Sequence, residues 1–148
     1  MSSIYDDELI SYLKISKVKG YRIIEEVEEV IEFIMEKFRF QNGRVCLYGN
    51  QNERYIESNA ENISDDVEHF IEELIEEKIC NMNEKVIYIG DSLTENGYEL
   101  CMSDAVKIVS YLVNEIPQHH YFYFEETNKL IFISFENEIM LIHQGKTL

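Results

Sequence analysis

Proline and glycine are scarce: the 148 residues include one proline and six glycines. No stretch therefore reads as a flexible or proline-rich linker, and residues 1–148 are expected to form a single domain. Long apolar runs are missing too. None approaches the roughly 20 residues that a membrane span needs. The opening MSSIYDDEL places acids where a signal peptide carries positive charge. Cysteine is limited to Cys46, Cys80 and Cys101, an odd count without a CxxC pair. That usage fits reduced thiols and a cytoplasmic protein, with Cys46 in a strand core. Basic residues are the last deficit. Thirteen Lys and Arg face 29 Asp and Glu, for a net charge of −16, and residues 1–80 and 81–148 share the imbalance. Such a chain repels phosphate backbones and anionic lipid, which argues against nucleic acid and membrane as partners and favours a basic protein.

What is present is strong periodicity. Ser2 or Ser3 caps a predicted helix over 4–14, with Asp6, Asp7 and Glu8 at its positive end. Apolar residues three and four apart predict a long helix over 21–39, from Ile23 and Ile24 to Phe38, and a second over 64–79 capped by Ser64. A further helix over 104–116 is capped by Ser103 and stopped by Pro117. Strands are expected at 44–48 and 54–57, paired as a hairpin around GNQN, and at 85–90 and 98–102. The chain then runs through strands at 120–125, 129–135 and 138–143, joined by the short turns ETN and EN. The fold class read from this order is α+β. A mainly antiparallel sheet ends in a three-stranded C-terminal meander, with about four helices packed on it.

Two surface features point outward. The predicted helix 21–39 carries Glu25, Glu29, Glu32 and Glu36 at three- and four-residue spacing, and helix 64–79 carries Glu68, Glu72 and Glu76. Each like pair four apart costs an isolated helix about 0.2–0.5 kcal/mol. A face built only for solubility would alternate Glu with Lys, so uncompensated carboxylates fit a surface that receives cations from a partner. In YFYF, Tyr121 and Tyr123 share one strand face and Phe122 and Phe124 the other. The phenylalanines are assigned to the core. The tyrosine face is assigned either to the core margin or to an interface with a partner or a second copy.

Chemistry-bearing patterns are few. His119 and His120 are adjacent and point to opposite strand faces, so they cannot chelate one ion together. His69 with Glu72 and Glu73 has helical spacing but no second ligand cluster, so no metal is expected. No glycine-rich phosphate loop is present, and no cofactor is expected. One block does stand out. VIYIGDSLTENG, residues 86–97, contains GDSLT at 90–94, which resembles the first block of the GDSL esterases and lipases. That resemblance implies a nucleophilic Ser92. A serine hydrolase also needs a base and oxyanion donors. No Asp-x-x-His follows, and Lys107 stands where the family's histidine would follow Asp104. Asn96-Gly97 signals a turn, so 91–97 is read as a hairpin loop in which Asp91 and Ser92 bond to the loop's own backbone. Asp91 and Glu95 on that loop are added to the partner-facing residues.

As a whole the chain resembles the small acidic immunity proteins of bacterial polymorphic toxin systems, contact-dependent growth inhibition among them. The resemblance lies in the short acidic α+β chain and the closing YFYFEETNKLIFISFENEIMLIHQG. It implies tight binding of one cognate toxin domain, commonly a basic nuclease, whose active site or substrate surface is covered. Acidic side chains would pair with the toxin's Lys and Arg, Tyr121 and Tyr123 would be anchors, and no catalysis would be required. The competing readings are a GDSL-like esterase using Ser92 and an acidic adaptor or DNA mimic.

Overall fold

The computed structural model describes residues 3–18, 20–38, 40–41, 44–45 and 51–143. Its elements run α1 (Ile4–Ile15), β1 (Arg22–Ile24), α2 (Glu28–Lys37), β2 (Phe40–Gln41), β3 (Arg44–Val45), β4 (Gln51–Glu57) and α3 (Ile63–Glu76). Then come β5 (Lys85–Gly90), β6 (Gly97–Cys101), α4 (Met102–Glu115), β7 (His120–Phe124), β8 (Lys129–Ile133) and β9 (Glu138–His143). The fold is α+β, and the described residues form four helices and a seven-stranded sheet of order β1-β6-β5-β7-β8-β9-β4, beside the two-stranded β2–β3 ribbon. Every described pairing is antiparallel. Strands β7, β8 and β9 form the expected C-terminal meander.

Period-two alternation divides the sheet into two cores. On one face Val86, Tyr88, Phe122, Phe124, Ile131 and Leu141 pack against α1, α3 and α4. On the other, Ile87, Ile89, Tyr121, Tyr123, Phe132 and Met140 pack against α2 and the β2–β3 ribbon. A sheet covered on both faces explains why β7 and β8 are apolar at nearly every position.

The helix expected over 21–39 is corrected. Arg22–Ile24 is a strand, with Ile23 opposite Tyr98 of β6, and the helix starts only at Glu28. Ile23 and Ile24 are adjacent and β-branched. On a strand they point to opposite faces and join both cores, one each. A helix would have placed them side by side on one face. The hairpin predicted from 44–48 and 54–57 is also corrected. The β3 strand pairs with β2, whereas β4 closes the sheet against β9, with Tyr55 opposite Met140 and Ile56 opposite Ile139. Residues 46–50, Cys46 among them, lie outside the described residues. The Ser3 cap is observed as a capping box with Asp6. Ser64 and Ser103 are not caps, because their helices start earlier, after Asn62 and Cys101.

Candidate functional site

The GDSLT loop is a knot of hydrogen bonds. Strand β5 ends at Gly90 and β6 starts at Gly97, so residues 91–96 join two antiparallel neighbours, as the turn signal predicts. Pro117 ends the α4 region and delivers the buried Gln118 beneath this loop. Its Oε1 accepts from three successive backbone amides, those of Ser92, Leu93 and Thr94, at 3.2, 2.7 and 3.3 Å. Its Nε2 donates to Thr94 Oγ1 at 2.9 Å and to Tyr88 Oη at 3.0 Å. Gly90 is required by this arrangement. A Cβ there would lie 1.8 Å from Gln118 Nε2 and 2.3 Å from Thr94 Oγ1.

The far side of the loop is tied to Asp6, a fully buried carboxylate in the first turn of α1. It accepts from Glu95 N at 2.7 Å, Asn96 N at 3.2 Å and Tyr98 Oη at 2.5 Å, as well as from Ser3 N at 3.0 Å. Burial alone would raise its pKa, but these donors, Tyr98 foremost, outweigh it and hold the carboxyl below the usual range. Tyr98 is pushed up in turn, by burial and then by this carboxylate.

The two histidines near the loop have structural partners. His120 Nδ1 lies 2.6 Å from Tyr88 Oη, and burial pushes this imidazole down to about 3. His119 Nδ1 accepts from Phe135 N at 2.9 Å. Ser92 is exposed, with its Oγ 3.3 Å from Asp91 Oδ1, and among the described residues no histidine bonds to it. The amides that could hold an oxyanion are filled by Gln118. Asp91 itself accepts from His119 N at 2.9 Å, and Glu95 contributes its backbone N–H to Asp6, so both residues help to hold the loop.

A different site emerges on the α2 face of the sheet. The registers Arg22↔Glu99, Ile87↔Glu99 and Ile87↔Tyr123 set these residues in one row across β1, β6, β5 and β7. The row floors a groove of about 700 Å³, and the segment leading into α2 forms its wall. Glu25, Glu26 and Glu29 stand along that wall and Glu125 at the end of β7, while Phe33 lines the groove from within α2. Glu99 is paired with Arg22 at 2.9 Å, and that bond holds its carboxyl below the ordinary range. Among the described residues, no cation lies within ion-pair distance of Glu25, Glu26, Glu29 or Glu125. Tyr123, which also lines the groove, is 1% exposed. Its ring meets Phe33 and Phe38 edge-on, and its hydroxyl has no hydrogen-bond partner among the described residues. Burial, with Glu125 adding to it, pushes this phenol up to about 12.

The residues predicted to face a partner are therefore dispersed. Glu25, Glu29, Glu32 and Glu36 are exposed on the α2 side, whereas Glu72 and Glu76 are exposed on α3, across the sheet. Glu68 accepts a hydrogen bond from Ser110 Oγ of α4, so its carboxylate is committed within the fold. The α3 face is also partly compensated: Arg54 reaches Glu77 at 2.5 Å and Glu73 at 3.5 Å, and His69 meets Glu73 at 2.9 Å. Tyr121 and Tyr123 are both buried beneath α2 and the β2–β3 ribbon, so neither projects from the surface, although Tyr123 forms part of the groove floor. Sequence reasoning missed Gln118, the long reach of Asp6, and the addition of Glu26, Glu99 and Glu125 to the groove. Only the capping pattern Ser3-x-x-Asp6 hinted at any of these. Among the described residues no cluster of His, Cys, Asp and Glu could hold a metal ion, and no helix is long and apolar enough to cross a membrane. No protein-family model, curated protein or solved structure matches the chain.

Proposed function

We propose that this chain is an immunity-type binding protein. In this reading it captures one basic toxin domain in the cytoplasm and neutralises it by covering its active site or substrate surface. The observation that carries the reading is the α2-side groove. Carboxylates from separate parts of the chain converge there, four of them without an ion-pair partner among the described residues, around a floor in which the Arg22–Glu99 pair adjoins the buried Ile87 and Tyr123. Uncompensated charge speeds encounter with a basic surface, and desolvated apolar and aromatic surface such as Ile87, Tyr123 and Phe33 is where binding energy concentrates. The reading calls for no cofactor and no nucleophile. Commitment of the 92–94 amides to Gln118 supports a binding role over an esterase role for the GDSLT loop.

The test is co-expression with the C-terminal domain encoded by the gene directly upstream. Growth arrest by that domain should be relieved by this chain, and the purified pair should form a stable complex. Continued arrest with both proteins soluble, or an upstream gene that encodes no toxic domain, refutes the proposal.

A further inference from the structure

We infer that the α2-side groove is a receptor for a single arginine side chain presented by the basic partner. This rests on the binding-protein reading above and specifies the contact. Charge sets the sign of the occupant. Glu25, Glu26 and Glu29 from the α2 side and Glu125 just after β7 ring the groove, and none has a cation within ion-pair distance among the described residues; Arg22, the cation that shares the groove lining, is paired with Glu99 and only feels Glu125 at longer range. Acids before a helix N-terminus are ordinary in themselves. Glu125 belongs to the end of a different element, so the helix dipole does not account for the convergence.

The floor selects guanidinium over ammonium. Beyond the paired Arg22 and Glu99, it is lined by Ile24, Ile87 and Tyr123, with the 42%-exposed ring of Phe33 beside it. Guanidinium is planar, weakly hydrated and suited to aromatic surfaces, whereas a lysine ammonium is a strongly hydrated point charge that loses more on entering such a floor. Lys37, which does not line the groove, sets its Nζ 4.6 Å from the Phe33 centroid, so the selection rests on the apolar floor and not on this ring alone.

Tyr123 is the independent observation. Its buried hydroxyl has no hydrogen-bond partner among the described residues, which is costly, and phenylalanine would fill the same space without that cost. An arginine N–H arriving in the groove supplies the missing donor. Glu29 and Glu125, which line the same groove, would supply acceptors for the remaining guanidinium N–H groups.

The probe is Nα-acetyl-arginine methylamide, titrated at low salt and followed by amide and aromatic NMR, with the lysine analogue as control. The expected result is saturable binding, with shifts concentrated at residues 24–33, 99 and 123, and at least threefold weaker binding of the lysine analogue. Tyr123→Phe should weaken arginine binding at least threefold while Tm holds or rises, a combination that damage to the fold cannot produce. Glu29→Gln with Glu125→Gln should weaken it about tenfold. Unsaturable or scattered shifts, equal lysine affinity, or full affinity in Tyr123→Phe would overturn the inference. Failure of the arginine probe beside an intact toxin complex sinks this contact alone. Saturable arginine binding without any toxin complex sinks the functional reading alone.

Discussion

Replacing Asp6 tests whether one buried carboxylate holds the loop between β5 and β6. Three of its accepted bonds reach residues 89 to 92 positions away: Glu95 N, Asn96 N and Tyr98 Oη. Hydrogen bonds to charged groups contribute about 1.5–3 kcal/mol each, and donors left buried without an acceptor are penalised further. Glu95 is exposed and water can reach its amide, so the low end applies there. Asp6→Ala should therefore cost about 4–5 kcal/mol, the upper part of the roughly 3–5 kcal/mol lost when one partner of a buried charged pair is removed. Asp6→Asn should cost about 2–3 kcal/mol. A turned amide can keep its oxygen toward Glu95 and Ser3 and offer its NH2 to the Tyr98 oxygen, leaving only the Asn96 amide opposed. At about 2–4 °C per kcal/mol for a chain of this size, the alanine variant should melt roughly 8–20 °C lower. Urea unfolding followed by far-UV circular dichroism gives the free-energy changes, and a thermal melt with the same probe gives the shift in Tm.

The pH dependence has a definite sign. A carboxyl held below its unfolded pKa of 3.8 contributes its stability above that pH and loses it as pH falls through the lowered native value. The stability gap between the wild type and the Asp6→Asn variant should accordingly narrow below about pH 4. A gap under about 0.5 kcal/mol at neutral pH, or one unchanged in acid, would refute the assignment.

Three further outcomes are expected. Gln118→Leu should destabilise by about 2–4 kcal/mol in the same urea assay, because it strips acceptors from the 92–94 amides, and Gly90→Ala should do similar damage by displacing Gln118. Ser92→Ala should change stability by less than about 0.5 kcal/mol, and clean wild-type protein should not turn over a short-chain chromogenic ester; serine-dependent turnover would restore the hydrolase reading. His120, neutral in the fold, is pushed down to about 3 from 6.5, so the unfolded chain binds more protons between those values and stability falls as pH drops below 6.5. The slope approaches about 1.4 kcal/mol per pH unit from this group, and His120→Asn should flatten the stability profile between about pH 6.5 and 4.5.

Long amphipathic helices were legible because each carries a single period over many residues, and the closing meander because its apolar strands are separated by short turn signals. Helix α1 was found from its cap, α3 and α4 from their apolar stripes, and β7–β9 from their β-branched and aromatic content. The segment 21–24 misled because Ile23 and Ile24 extend the stripe of α2 in phase. Three residues hold too little periodicity to announce a strand whose partner, β6, lies more than 70 residues on. Pairing of β4 with β9 was hidden for the same reason, since register across such a separation is decided by which faces end up covered.

The loop at 91–97 was read correctly as a hairpin connection, but its anchors were not. Gln118 and Asp6 are ordinary polar residues in sequence, and only tertiary placement makes them acceptors for five loop amides between them. The acidic faces were visible as spacings, yet spacing cannot tell that α2 and α3 lie on opposite sides of a sheet, or that Arg54 neutralises part of the second. It also could not show Glu125 and Glu99 joining Glu25 and Glu29 at one groove.

The proposed function stands on the groove as the partner-facing surface, and the association rate with the upstream-encoded toxin domain tests it most directly. Charge reversal of Glu25, Glu29 and Glu125 to lysine should slow association at least tenfold at low salt, with an unchanged circular dichroism spectrum. Reversal of Glu72 and Glu76 on the opposite side of the sheet should change it less than twofold. The reverse ranking, or equal rates for the groove variant and the wild type, would contradict the claim.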